Sequence, residues 1–182
     1  MPEGGMRFDS AYYLAPNSPT ERLGSVFDRA RPGMSYDEGE TAIHDVAEHI
    51  RGACANPDAT DPYAPGKHLA GATRDDPLHR LAASAGQSQQ DCYNANRNET
   101  YGFCNSPFMP PKPPQGEWQC DEYPFASTYE GSARYRYEQN YRGWWSAAWV
   151  LKNDNEEAGA RLGRWYANDR ILDNEPFFIP IT

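Results

Sequence analysis

The last third of the chain carries the pattern that most restricts its fold. Ala133-Arg134-Tyr135-Arg136-Tyr137-Glu138 alternates aromatic and charged side chains with period two, the mark of a half-buried strand. Asn140-Tyr141-Arg142-Gly143 supplies a turn, and Trp144 to Leu151 reads as the returning strand. Asp154, with Glu157 three residues on, starts a helix carrying Ala158, Leu162, Trp165 and Tyr166 on its inner side. The expected order is strand, strand, helix, in an α+β domain with a small antiparallel sheet and flanking helices. Phe177-Phe178-Ile179 reads as a short strand that Pro180 confines to a sheet edge.

Upstream the signals are weaker. Residues 1–39 are rich in Pro, Gly, Ser and Asp and read as an irregular arm or linker, with the folded domain over 40–182. Ser35-Tyr36-Asp37-Glu38 has the form of a capping box, and a helix follows with Ile43, Val46, Ala47, Ile50 and Ala53 on one face. Pro57, Pro62 and Pro65 punctuate a loop, and Pro77 to Ala82 suggests a short helix. Gly86 to Gly116 is Asn/Gln-rich and then Pro-rich, and reads as long loops.

Of the 182 residues only 38% are hydrophobic but 13% are aromatic, so core and surface sites are expected to be built from Tyr, Trp and Phe. No apolar stretch is long enough to cross a bilayer, and no membrane contact is expected. Met1 to Met6 has neither the basic nor the apolar region of a signal peptide. The expectation is a cytosolic protein or an excised part of something exported by another route. The net charge of −9 argues against a general nucleic-acid binder, although an enzyme acting on DNA needs only a local cationic strip.

Cys54, Cys92, Cys104 and Cys120 show no CxxC and no zinc-like cluster, and they allow three pairings. Cys104–Cys120 with Cys54–Cys92 is favoured, because the Pro107–Pro114 segment would make a stiff loop for the first bridge to close. Four free buried thiols are the alternative at this point.

Asp121 and Glu122 precede Tyr123-Pro124, a dipeptide expected to hold the chain extended, so the two acids point to opposite sides. Glu130 follows eight residues later, and Asp154 and Asn155 open the last helix. Carboxylate and amide oxygens suit Mg²⁺, Mn²⁺ or Ca²⁺. On spacing alone, two adjacent acids before a Pro more often mark a solvated turn, and an acid at the position of Asp154 more often serves as an N-cap. His44 and His49 lie five apart and do not share a helix face as a metal pair would, so each is assigned a capping or core role. His79, in Leu78-His79-Arg80, is a candidate to contact a phosphate, beside the plainer reading of a loop histidine. Arg134, Arg136 and Arg142, interleaved with Tyr135, Tyr137 and Tyr141, suit a nucleic-acid backbone with stacked bases, or a solvated face over a tyrosine core.

The segment Cys120-Asp121-Glu122-Tyr123-Pro124-Phe125-Ala126-Ser127-Thr128-Tyr129-Glu130-Gly131 resembles the Asp-Glu-aromatic-Pro signature of the NucA/NucB deoxyribonucleases, in the branch that reads Cys-Asp-Glu-Tyr-Pro-Phe-Ala. Asn153-Asp154-Asn155 with Ala158-Gly159 and Leu162-Gly163 is similar to that family's Asp-Asn-x-x-Ala-Gly segment. Trp165-Tyr166 and Asp169 to Asp173 continue the similarity, and His49-Ile50-Arg51-Gly52-Ala53 resembles its early His-Ile helix. The resemblance covers 118–182 well and 44–100 thinly. Tyr123 stands where many relatives have Trp, and 131–152 is longer than in the shortest members.

The resemblance implies an exported, metal-dependent endonuclease with little sequence preference and a ββα-metal-like catalytic substructure. It implies disulfides rather than free thiols. Asp121 matches the general base, Glu122 and Glu130 match acidic positions, and Asn155 matches the amide at the helix start. A divalent ion, Mg²⁺ or Mn²⁺, is expected on a carboxylate among Glu122, Glu130 and Asp154, with Asn155 assisting. DNA is the expected partner, contacted by Arg134, Arg136, Arg142 and His79. The linker-like start suggests the C-terminal toxin domain of a larger secreted protein, with an immunity protein in its producer. The rivals are a glycan hydrolase using paired carboxylates and a non-catalytic aromatic interaction module.

Overall fold

The computed structural model describes residues 4–182. In chain order its elements are β1 (Met6–Asp9), β2 (Gly24–Phe27), α1 (His44–Ala55), β3 (Leu78–His79), α2 (Gln87–Cys104), β4 (Trp118–Tyr123), β5 (Ser146–Leu151), α3 (Lys152–Asn168) and β6 (Pro176–Phe177). The strands form three two-stranded antiparallel sheets among the described residues: β1 with β2, β3 with β6, and β4 with β5. The architecture is a small α+β fold.

The central unit is β4–β5, whose register pairs Asp121 with Ala148 and Tyr123 with Ser146. Side chains alternate across it. Tyr123 and Val150 enter the main core with the apolar faces of α1 and α3, including Val46, Ile50, Ala158, Leu162 and Tyr166. On the opposite face Cys120, Ala147 and Trp149 pack with Phe103, Cys104, Met109 and Trp145 around the end of α2. The strand pair is therefore held between α1 with α3 and α2. Its two outer edges differ. Asp61 O accepts a bond from Ala147 N on the β5 side, and buried Lys67 holds that segment by donating to the carbonyls of Thr60, Pro62 and Trp145. No strand pairs with the other edge of β4 among the described residues.

The strand-strand-helix order is present, but its first strand is β4, which holds the two acids, and not 133–138. Arg134–Arg136 is a short 3-10 turn. Arg134 stacks over Tyr141 at 3.5 Å and Arg142 over Tyr135 at 4.2 Å, so cation–π contact replaces the expected alternation of faces. The loop expected at 86–116 contains the 18-residue helix α2. That helix buries a polar face: Asn96 donates to the carbonyls of Ala126 and Thr128 and accepts from Ala133 N, while Thr100 meets Ser132. Satisfied hydrogen bonds dock the middle of the helix, and Phe103 and Cys104 pack its C-terminal end into the second apolar cluster.

The helix expected at 77–82 is extended, because residues 79–81 pair on both sides. On one side Leu81 N donates to Ser127 O and His79 O accepts from Tyr129 N, both in the motif loop, and on the other Arg80 N donates to Glu175 O near the C-terminus. Arg80 is buried and stacks on Tyr166 at 4.5 Å. The sequence from Ser35 to Glu38 does not cap α1, whose N-cap Ile43 has no side-chain bond. Tyr36 and Glu38 instead pair with Pro180 and Thr182. The first turn of α1 is satisfied from α3: Asp154 Oδ2 accepts from Asp45 N at 3.1 Å, and Asp45 Oδ2 accepts from Leu151 N at 2.9 Å. Cys104 and Cys120 form the expected disulfide, with Cα atoms 6.3 Å apart. Cys54 and Cys92 are free, correcting the second pair. Cys54 lies against buried Tyr123, and Cys92 Sγ lies 2.8 Å from Tyr137 Oη.

Candidate active site

The open edge of β4 forms the floor of a cleft of about 240 Å³. Tyr93 and Arg97, one turn apart on α2, form one wall, and Asn155, Gly159 and Gly163 on α3 form the other. Asp121, Glu122 and the chain from Phe125 to Ser127 line it as well. Local sequence explains this placement. β4 ends at Tyr123, and the following Pro124 turns the chain into a loop that Asn96 and residues 79–81 hold in place.

Asp121 points to the α1 side and is buried, with 7% of the residue exposed. Its Oδ2 lies 2.7 Å from His49 Nδ1, and His49 Nε2 lies 2.8 Å from Ser146 Oγ. An imidazole bonded at both nitrogens is fixed in orientation, and it fixes the carboxylate with it. Glu122 points to the opposite side. Burial, and then the nearby Asp121 charge, push its carboxyl up to about 7, against the pull of Arg97 and the Ala126 backbone. Arg97 is exposed and forms no ion pair among the described residues. Asn155 Nδ2 donates to Gln119 Oε1 at 3.0 Å, which leaves its carbonyl oxygen uncommitted by that bond.

Three of the expected site residues, Asp121, Glu122 and Asn155, thus share one cleft. Glu130 and Asp154 do not line it. Glu130 accepts from His79 N and meets His79 Nδ1, both at 2.8 Å, in a separate recess with His68, Arg134, Tyr141 and Trp144. Asp154, in the first turn of α3, is buried with its carboxylate bonded to Asp45 N at the start of α1. Arg136 pairs with Glu99 and is exposed, and Arg142 faces another surface near Phe108 and Trp145. Sequence reasoning missed Arg97 and Tyr93, because their helix is polar, and it gave His49 a bland core role. The similarity of His49-Ile50 to an early family helix was the one signal for that histidine.

A strand pair leading into a helix, with two acids, an amide and an arginine converging on one cleft, is the layout of a hydrolytic enzyme. The family model described as Deoxyribonuclease NucA/NucB matches residues 69–180, a span that includes the floor and both walls of this cleft. The chain belongs to that family and is a deoxyribonuclease. No curated protein and no solved structure matches it. No helix among the described residues is long and apolar enough to cross a membrane.

Proposed function

We propose that this deoxyribonuclease hydrolyses phosphodiester bonds within DNA chains, with little regard to sequence, at the open edge of β4. The observation that carries the reading is the convergence of Asp121, Glu122, Asn155 and exposed Arg97 on one cleft. Asp121, held by His49, takes the proton from the attacking water. Arg97 offsets the charge that builds on the phosphate oxygens.

The donor set fits a hard divalent cation. Mg²⁺ and Mn²⁺ take oxygen ligands and tolerate a site with one or two protein groups, water and substrate phosphate. Glu122 and the carbonyl oxygen of Asn155 would hold the ion, and no larger cage is available: no group of three or more His, Cys, Asp or Glu side chains among the described residues suits a metal. When bound, the ion neutralises charge at the phosphorus. Glu130 and Asp154 serve this reading as supports, since one orders the 79–81 segment and the other joins α1 to α3.

His79 and Arg134, which line the recess beside Pro124, contact the DNA backbone away from the scissile bond, and Arg136 extends that contact, whereas Arg142, on another surface, is left outside it. The Cys104–Cys120 bond supports a life in an oxidising compartment. We read the chain as the nuclease portion of an exported toxin, restrained in its producer by an immunity protein. Plasmid nicking with and without chelator tests the core of the proposal. Chelator should abolish cutting and added Mg²⁺ or Mn²⁺ should restore it, whereas undiminished cutting in excess chelator would sink the metal-dependent mechanism.

A further inference from the structure

Gly159 and Gly163 sit one turn apart within α3, and both are exposed on the wall of the cleft that holds Glu122. Glycine inside a helix lowers its stability relative to alanine, so its presence twice in one wall calls for a reason. Packing does not give one. A Cβ built on either residue meets nothing within 4 Å. Gly52 and Gly102 are also bare in their helices, but each stands alone and neither borders the acids. Across the cleft stand Tyr93 and unpaired Arg97, with Asp121 and Glu122 between the two walls.

We infer that Gly159 and Gly163 keep the α3 wall bare so that the sugar–phosphate backbone of DNA can lie directly against the helix, setting the width of substrate the cleft admits. The inference rests on the nuclease reading above. Side chains at these positions would hold the phosphate away from Glu122 and Asn155, and a displacement on the order of 1 Å is enough to cost about 10²-fold in rate.

The test compares Gly159→Gln and Gly163→Gln with Ala160→Gln, an exposed α3 substitution that does not line the cleft. Each full-length protein is assayed for kcat/KM on plasmid DNA and for thermal unfolding. The two glycine variants should unfold at the wild-type temperature or about 2–4 °C above it. Their kcat/KM should fall on the order of 10²-fold, and the alanine-site variant should cut normally. Wild-type cutting by both glycine variants would overturn the inference. A lower unfolding temperature would overturn it too, by assigning the glycines a packing role. Wild-type protein that cuts no DNA would overturn the nuclease reading itself, a separate outcome that removes this inference with it.

Discussion

His49 ties the two strands of the site together: Nδ1 lies 2.7 Å from Oδ2 of Asp121 on β4, and Nε2 lies 2.8 Å from Oγ of Ser146 on β5. The imidazole comes from α1, outside the residues matched by the family model. Its position makes the geometry of the acid depend on a helix some seventy residues earlier in the chain.

Asp121→Asn keeps the size of the side chain but removes its capacity to accept a proton. Turnover should drop on the order of 10²–10⁴-fold, with DNA affinity unchanged or slightly improved. His49→Ala should cost less, on the order of 10–10²-fold, because the base survives but loses its support. Single-turnover cleavage at saturating DNA, beside binding measured without metal, separates the effects. An Asp121→Asn variant impaired only through binding or folding would refute the general-base role.

Glu122 gives a pH prediction for the metal-free protein. Its carboxyl sits at about 7 in the fold against an ordinary 4.5, so between these values the folded state binds the extra proton. Stability from this group is full below pH 4.5 and lost as pH rises through about 7, an effect of at most about 3 kcal/mol. In chelator, Glu122→Gln should therefore be more stable than wild type at pH 8 and no better at pH 4. Urea unfolding at the two pH values checks this, and a gap of equal size at both would contradict the assignment.

The disulfide joins the end of α2 to the residue before Asp121, across a separation of 16 residues. Closing a loop of that size contributes about 3 kcal/mol by chain entropy. Reduction, or Cys104→Ser with Cys120→Ser, should lower the denaturation midpoint accordingly and slow cleavage, since α2 also carries Arg97. Mass spectrometry of oxidised protein should find two free thiols, Cys54 and Cys92, and a count of four would rule out the bond.

Arg97 and Arg136 should respond differently to alanine. Arg97→Ala should reduce turnover at saturating DNA on the order of 10²–10³-fold, as expected for a donor aimed at developing charge. Arg136→Ala should weaken binding and reduce the salt slope by about 1, leaving the chemical step unchanged. Equal effects of both on turnover at saturation would refute the separate roles.

Local pattern determined a good part of this protein. The apolar spacing of Ile43, Val46, Ala47, Ile50 and Ala53 and that of Ala158, Leu162 and Tyr166 mark α1 and α3, because a buried helix face repeats every 3.6 residues. The family signature around Asp121 marks the acids. Tertiary structure decided the rest, for reasons that leave no periodic trace. α2 is fixed by hydrogen bonds from Asn96 and Thr100 to a loop some thirty residues later, so its face reads as polar and loop-like. Tyr135 and Tyr137 alternate like a strand, yet stacking with arginines and a 3-10 turn takes that segment out of the sheet and leaves β4 as the partner of β5. The separation of Glu130 and Asp154 from the cleft, and the meeting of His49 with Asp121, follow from which surfaces pack across long stretches of chain, which residue type and spacing do not encode.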